Sequence, residues 1–380
     1  MNHLLSRLIS IARWKLYKLS MRLSLGRTWG FGLDRNLVYS IPDACVSEKV
    51  ARHVVGIKKI SDAYVQKYHL PPSSGEGPFQ ARAVFTEAKP VPERNLYCLS
   101  DVAISAETGA VWIPGKCAFV ESLGNNIHFY AWGGLIDMMR KTSNALTGVV
   151  TPCANLGYYH WLLDAMGQVL IARREMGSGV KVLVSNHPFG FVRDGLSFFG
   201  IRDEDIVLSD GPVMAERAIM VARNPDLGVI FKDNIVVLRD EIAKHWDNSV
   251  KPFRKIYVSR RLERNRAIRN EKEVEDRARK AGFEVCYFEK MPFAEQMKTV
   301  SEASVVMGIH GAGLSNIIAG RMGLKVIELL NPVWFNTCFA QLASQLGFEY
   351  HCMMLKQDSG CIYADITEIE RLLNEKINQD

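Results

Sequence analysis

"SVVMGIHGAGLSNIIAGRMGLKVIELL", Ser304 to Leu330, sets two apolar runs on either side of a glycine-rich turn and a second apolar segment. Short apolar runs bounded by glycine read as buried strands, and the segment between them as a helix. Upstream the same alternation continues. "KIYVSRR" from Lys255 is a strand, "NEKEVEDRARKAG" a helix closed by Gly282, "FEVCYFE" a strand, and "PFAEQMKTVSEA" a helix with Pro292 near its start. This βα spacing predicts parallel strands with helices on both faces, a Rossmann-like half whose ligand lies beyond the carboxyl ends of the strands.

Toward the N-terminus, "YYHWLLDAMGQVLIARREMG" predicts a helix, "VKVLVSN" a strand, "FVRDGLSFFGI" a helix and "DIVLS" a strand. A second α/β unit is therefore expected from about Thr151 to His245. Before it, "ARAVFTEA", "AVWIPGKCAFVES" and "NNIHFYAW" suggest an irregular β-rich entry, and "DNSVKP", Asp247 to Pro252, has the composition of a linker. "DITEIERLLNEKI" reads as a terminal helix. The expected division is a basic helical segment at 1–33, an N-terminal unit at 34–246, a C-terminal unit at 253–362 and a closing helix at 363–380. In fold class this is α/β, two Rossmann-like domains facing a cleft.

The 380 residues suffice for two domains, and 48% hydrophobic with 23% charged residues is ordinary globular composition. The net charge of +6 is local: six of the 47 basic residues precede the first acidic one, Asp34, and the remaining 41 match the 41 acidic residues. A basic body for nucleic acid is thus not expected. Within residues 4–25, Leu5, Leu8, Ile9, Ala12, Leu16, Leu19 and Leu23 share one helical stripe beside Arg7, Lys15, Lys18 and Arg22. Such a helix suits an anionic membrane surface as well as it suits docking on the protein's own core or a partner subunit, and a transit peptide ranks third. Its charges are too frequent for it to span a bilayer. Eight cysteines with no CxxC pair, and no Asn-x-Ser/Thr sequon, favour a reducing, cytoplasmic setting.

From Gly311 the turn reads G-x-G-x-x-N, with Asn316 where a dinucleotide fingerprint needs its third glycine, so nicotinamide is demoted. Amides of Gly311, Ala312 and Gly313 at a helix N-terminus favour an anion such as a diphosphate. A tight turn needing positive φ would also explain the glycines, but not His310. "SRRLERNRAIRN", Ser259 to Asn270, offers Arg260 and Arg266 as a bidentate phosphate clamp, while Arg264 and Arg269 read as solvated surface. Glu328 in "VIELLNP" could accept ribose hydroxyls or pair with an arginine. His160 and Asp164, four apart on a helix, could form an oriented general base, and Tyr158, Tyr159 and Trp161 could offer flat surfaces to a sugar ring. An aromatic-rich buried helix is the bland alternative. "DED" at Asp203 to Asp205 reads as a solvated turn.

The order "YYHWLLDAMGQV", "YVSRR", "RAIRNEKEV", then "GFEVCYFEKMPFAEQMKTVSEASVVMGIHGAGLSNIIAGRMGLKVIEL" resembles glycosyltransferase family 61, including its bacterial capsular polysaccharide biosynthesis members, from about Thr151 to Phe348. The resemblance implies a GT-B fold and inverting transfer, without cofactor or metal, from a nucleotide sugar such as a UDP-sugar. Its acceptor would be a glycan or lipid-linked saccharide. It implies that Arg260, Arg266, His310, Gly311, Ala312 and Gly313 hold the donor, that His160 and Asp164 belong to its "HWLLD" signature, and that Asn270 and Glu271 begin a helix that Asn270 caps. Domain closure would then exclude water. A sugar-nucleotide epimerase, or a non-catalytic sugar-nucleotide or polysaccharide-binding subunit of a membrane assembly, would use the same cradle.

Overall fold

The computed structural model describes residues 38–39, 48–68, 88–114, 117–122, 143–224, 229–247, 249–262, 267–333 and 336–377. The basic segment at 1–33, the strands expected at 81–87 and 125–132, and Arg264 and Arg266 lie outside them. Among the described residues no helix is long and apolar enough to cross a membrane.

Among the described residues two main sheets carry the fold. The first is nine-stranded and built on β1 (Arg94–Ser105), β2 (Ser143–Pro152), β3 (Lys181–Ser185), β4 (Ile206–Ser209) and β5 (Pro212–Val221), in the order β1-β5-β2-β3-β4. From β5 to β4 every pairing is parallel. Helix α1 (158–176) joins β2 to β3, and α2 (Gly190–Phe198) joins β3 to β4, which makes two consecutive βαβ units. β1 runs antiparallel to β5, and short strands including Val54–Ser61 and Val111–Ile113 extend the sheet beyond it. The sheet is therefore mixed, with the Rossmann-like pattern confined to one wing.

β2 and β5 escape a sequence reading. "SNALTGVVTP" contains a positive-φ glycine, Gly148, and β5 carries "ER" at its centre, so neither shows a clean apolar run. The α/β unit consequently begins at Ser143, ahead of the Thr151 expected. The "DED" turn is also less solvated than its composition suggests, since Asp205 is buried against Arg173 at 3.2 Å and Arg202 at 3.3 Å.

The second sheet is five-stranded and wholly parallel: β6 (Arg254–Val258), β7 (Glu284–Cys286), β8 (Ala303–Ile309), β9 (Lys325–Leu330) and β10 (Glu349–Met354), in the order β7-β6-β8-β9-β10. Helix α3 (Lys232–Ala243) precedes it, and α4 (Glu271–Lys280), α5 (Phe293–Ser301), a 3-10 segment (Ala312–Ala319) and α6 (Cys338–Leu346) make the crossovers. α4 and the terminal α7 (Ile366–Ile377) cover one face through Val274, Ile369 and Leu373; Phe293, Ile317 and Leu342 cover the other. The chain leaves β6 toward β7 and returns on the opposite side to β8, so the strand order reverses between β6 and β8. A crevice opens at such a reversal, beyond the carboxyl ends.

One hydrophobic cluster runs through both halves, from Leu162 and Val182 to Val258 and Val306. Phe293 of α5 is its pivot, packed on Trp161 with ring centroids 5.9 Å apart and on Phe198 at 5.2 Å. Gly195 makes this possible, because a Cβ there would overlap the Trp161 indole. The expected linker is also tethered: Arg321 donates to the carbonyls of Val250 at 2.7 Å and Asp247 at 2.8 Å. Large apolar contacts between units resist relative motion, so this seam does not offer the easy closure that a bare linker would.

Candidate active site

The registers Val258 with Gly308 and Gly308 with Glu328 align the ends of β6, β8 and β9. Just beyond this row lie Arg260, His310 and the glycine turn, at the crevice where the strand order reverses. The turn is not built on strained backbone, for Gly311 has φ 177 and neither Gly308 nor Gly313 has positive φ. The glycines are needed for space instead. A Cβ on Gly311 would stand 2.7 Å from the guanidinium carbon of Arg260, and one on Gly313 would stand 3.2 Å from Val258. The expected clamp and the expected cradle are thus in direct contact.

Glu271 fixes the loop that carries Arg260. Buried at the first turn of α4, its Oε1 accepts from the Arg260 amide at 2.6 Å, Ser259 Oγ at 3.1 Å and Tyr257 Oη at 3.2 Å. Burial raises the Glu271 pKa against the pull of those hydrogen bonds. Glu275, one turn on, takes Arg261 Nε and Ser259 Oγ at 2.9 Å, and Tyr287 Oη at 2.8 Å. Arg261 is therefore part of the loop's support. Asn270 does not cap α4 with its side chain, which instead holds the backbone of Ala364 through both N–H and carbonyl, at 2.9 and 2.8 Å. Arg269, expected as solvated surface, lies over the Tyr363 ring at 5.3 Å.

His310 is 1% exposed, and its Nδ1 meets Glu328 Oε1, while Tyr350 Oη donates to Glu328 Oε2. Both oxygens of Glu328 are thereby engaged, and the residue is wholly buried. This corrects the reading of Glu328 as a ribose ligand: it sits beneath His310, and its partners are a histidine and a tyrosine where an arginine was the alternative. A carboxylate on Nδ1 fixes the tautomer and ring orientation of a histidine.

Across the seam, α1 changes pitch at the "HWLLD" motif. Tyr158–His160 is α-helical, Trp161–Met166 is a π-helical turn, and Gly167–Met176 is α-helical again. Insertions of this kind recur at functional sites because they redirect side chains. Here His160 Nδ1 lies 2.9 Å from Asp164 Oδ2, with the imidazole side chain 40% exposed. Burial is the largest influence on His160 and lowers its pKa, as does Arg223, but the hydrogen bond and charge of Asp164 prevail and the net shift is upward.

The three aromatic residues proposed as sugar surfaces do other work. Trp161 is fully buried, Tyr158 Oη donates to Asn316 Oδ1 at 2.5 Å, and Tyr159 stacks edge-on against Phe339 at 5.6 Å. Asn316, where a third glycine was looked for, also donates to Gln296 of its own half at 2.8 Å, and its bond with Tyr158 joins the two halves. Tyr159 touches His160 at 5.0 Å and Phe339 touches His310 at 5.2 Å, which leaves the two carboxylate-held histidines on either side of one aromatic pair. Arg223, Asn234 and Tyr350 are neighbours of this arrangement that sequence reading missed, because each comes from an element with no motif of its own. Among the described residues no group of three or more His, Cys, Asp or Glu side chains could hold a metal ion.

Residues 158–327 match the family model described as Glycosyltransferase 61. The matched span begins at Tyr158 and ends one residue before Glu328, so it contains His160, Asp164, Arg260 and His310 to Gly313. Beta-1,2-xylosyltransferase RCN11 of Oryza sativa subsp. japonica is 33% identical over 91 residues, 24% of this chain and 16% of that protein. Beta-1,2-xylosyltransferase of Arabidopsis thaliana is 29% identical over 86 residues, 22% of this chain and again 16% of that protein. The aligned stretch thus spans about a sixth of the length of these two relatives.

Proposed function

Since residues 158–327 are a glycosyltransferase 61 domain, we propose that this chain moves a sugar from a UDP-sugar to a hydroxyl of a glycan or lipid-linked acceptor, inverting the anomeric carbon. The names of the two plant relatives favour a pentose, xylose first, as the sugar transferred. In this reading the two halves form a GT-B arrangement, with the donor on the β6–β10 sheet and the acceptor on the parallel wing β2–β4.

The observation that carries the reading is the contact of Arg260 with Gly311 on one side of the seam, opposite the hydrogen-bonded His160 and Asp164 on the other. The acceptor oxygen attacks the anomeric carbon as its proton passes to His160 Nε2, Nδ1 being turned to Asp164. The bond from that carbon to the diphosphate oxygen breaks, and its electron pair leaves with the diphosphate. Arg260, His310 and the amides of Gly311 to Gly313 stabilise the growing charge, with no resident metal or cofactor required. Arg266, close to Arg260 in sequence, would join them.

A panel of nucleotide sugars tests this, scored by thermal stabilisation and acceptor-free hydrolysis, with and without divalent metal. UDP-pentoses are expected to raise Tm most and to do so without metal. Equal stabilisation by all nucleotide sugars would remove the pentose assignment, and none by any of them would remove the donor site. Product formed from donor alone, with the sugar isomerised and the diphosphate bond intact, would instead indicate an epimerase.

Gly311→Ala is a sharper probe of the cradle. The added methyl collides with the end of a flexible arginine side chain, so the fold should persist at a cost of about 1–3 kcal/mol, the range for overpacking a buried site. The guanidinium must move by roughly an ångström, and kcat/KM for the donor should fall about 10-fold to 100-fold. Unchanged donor kinetics in a folded G311A protein would show that the position of Arg260 is immaterial.

A further inference from the structure

Helix α3 lies across α1 and brings Asn234, 1% exposed, to the π-helical turn. Its Nδ2 donates to the Leu163 carbonyl at 2.8 Å and reaches the Asp164 carbonyl at 3.5 Å. Its Oδ1 accepts from Arg94 Nη1 at 2.9 Å. Arg94 is itself wholly buried, with Nε on the Ala222 carbonyl at 3.0 Å, its guanidinium 4.2 Å above the Phe231 ring, and the Asp233 carboxylate 3.9 Å away. Gly167 makes room for this amide, since a Cβ there would stand 2.7 Å from both Cβ and Oδ1 of Asn234.

Burying a guanidinium and an amide is costly unless their hydrogen bonds are made, so an apolar core would serve bulk stability better. What the buried polar pair supplies is a donor aimed at one place on α1. A side chain that enters the hydrogen-bond ladder of a helix sets its local pitch. The turn it enters is the one that swings Asp164 onto His160.

We propose that Asn234 is a positioning residue for the His160–Asp164 pair: locked by Arg94, it holds the π-helical turn at the Leu163 carbonyl and thereby sets the carboxylate against the imidazole. The inference rests on the reading of His160 as the acceptor base only for its catalytic consequence; the geometry can be tested without it. Among the described residues, the charged groups that act on His160 are Asp164 from α1 and Arg223 from the segment after β5, and Arg223 is anchored separately on the Thr108 carbonyl at 2.9 Å. Neither that bond nor the 3.5 Å bond of Arg223 Nε to Gln168 Oε1 involves Asn234.

The experiment follows the His160 imidazole by NMR titration in the full chain with no substrate, alongside steady-state kinetics. Asn234→Asp keeps an oxygen for Arg94 and replaces the donor to Leu163 with an oxygen facing an oxygen. His160 should then titrate lower than in the wild type, because burial remains and the hold of Asp164 loosens, while the new carboxylate is neutralised by Arg94. kcat should drop about tenfold, with donor KM unchanged. A purely structural role beside Arg94 would leave the titration in place in folded N234D, and that result overturns the proposal. A shifted titration with full turnover supports the positioning and instead removes His160 as the base. Gly167→Ala displaces Asn234 without altering any polar group and should shift His160 the same way; an unmoved titration in folded G167A also overturns it. Should neither variant fold, wild-type chain carrying 13C-carbonyl leucine and 15N-asparagine decides: a coupling across the Asn234–Leu163 hydrogen bond is expected, and its absence overturns the proposal.

Discussion

Replacing His160 with alanine is expected to lower kcat by about 10²–10⁴-fold, the range that a positioned general base contributes. Donor KM should barely change, because on the proposed reading the imidazole acts on the acceptor hydroxyl. The pH dependence carries a sign. The base must be neutral to take a proton, and Asp164 holds the His160 pKa above the ordinary 6.5 despite burial. kcat should therefore fall as pH drops through that raised value, with the acid limb starting at higher pH than for a free imidazole. Asp164→Asn removes the charge that outweighs burial, so its acid limb should move to lower pH while kcat falls about 10²-fold through loss of ring orientation. Rate profiles from pH 5 to 9 on the three proteins decide the matter. Normal turnover in both variants would rule out the pair as the base.

The second large effect is expected at Arg260. Arg260→Ala should cost about 10²–10³ in kcat/KM for the donor, comparable to removing one preorganised group facing a developing oxyanion. Arg260→Lys should recover only part, since an ammonium cannot bridge two phosphate oxygens as a planar guanidinium does. Glu271 holds the Arg260 backbone amide at 2.6 Å, a bond that truncating the side chain leaves in place, so the loop should survive. Competition by free UDP, measured alongside the kinetics, separates lost binding from lost charge stabilisation. An unaltered UDP affinity together with unaltered kcat would show that Arg260 does not contact the diphosphate.

In the C-terminal half β6 to β9 were legible because each is a short, mostly apolar run near a glycine or a helix start, the mark of parallel strands buried on both faces, whereas β10, EYHCMM, was not read because Glu349 and His351 interrupt it. Arg260 and the glycine turn could be picked out for the same reason, as polar residues directly after such runs. The function of the glycines was less visible: composition suggests positive φ, while the observed need is space for a guanidinium. Glu328 could not be read at all from its neighbours, because its partners His310 and Tyr350 lie 18 and 22 residues away on adjacent strands. The N-terminal sheet was obscure where β2 and β5 mix polar residues and glycine into strands. The π-helical turn left no sign in a heptad-like apolar pattern, and the buried Arg94 that supports it looked like any surface arginine before β1 was placed.

The seam through Trp161, Phe198 and Phe293 bears on how this enzyme class could be re-engineered. In proteins whose halves meet only through a hinge, exchanging one half transplants its specificity intact. Here, severing the chain near Val250 would uncover a large aromatic surface on each fragment, along with the carbonyls that Arg239 and Arg321 now satisfy. Such fragments would be expected to aggregate before they could be recombined. Altered donor or acceptor preference is better sought by grafting the loops beyond β3, β6 and β8, leaving the aromatic seam as a fixed chassis.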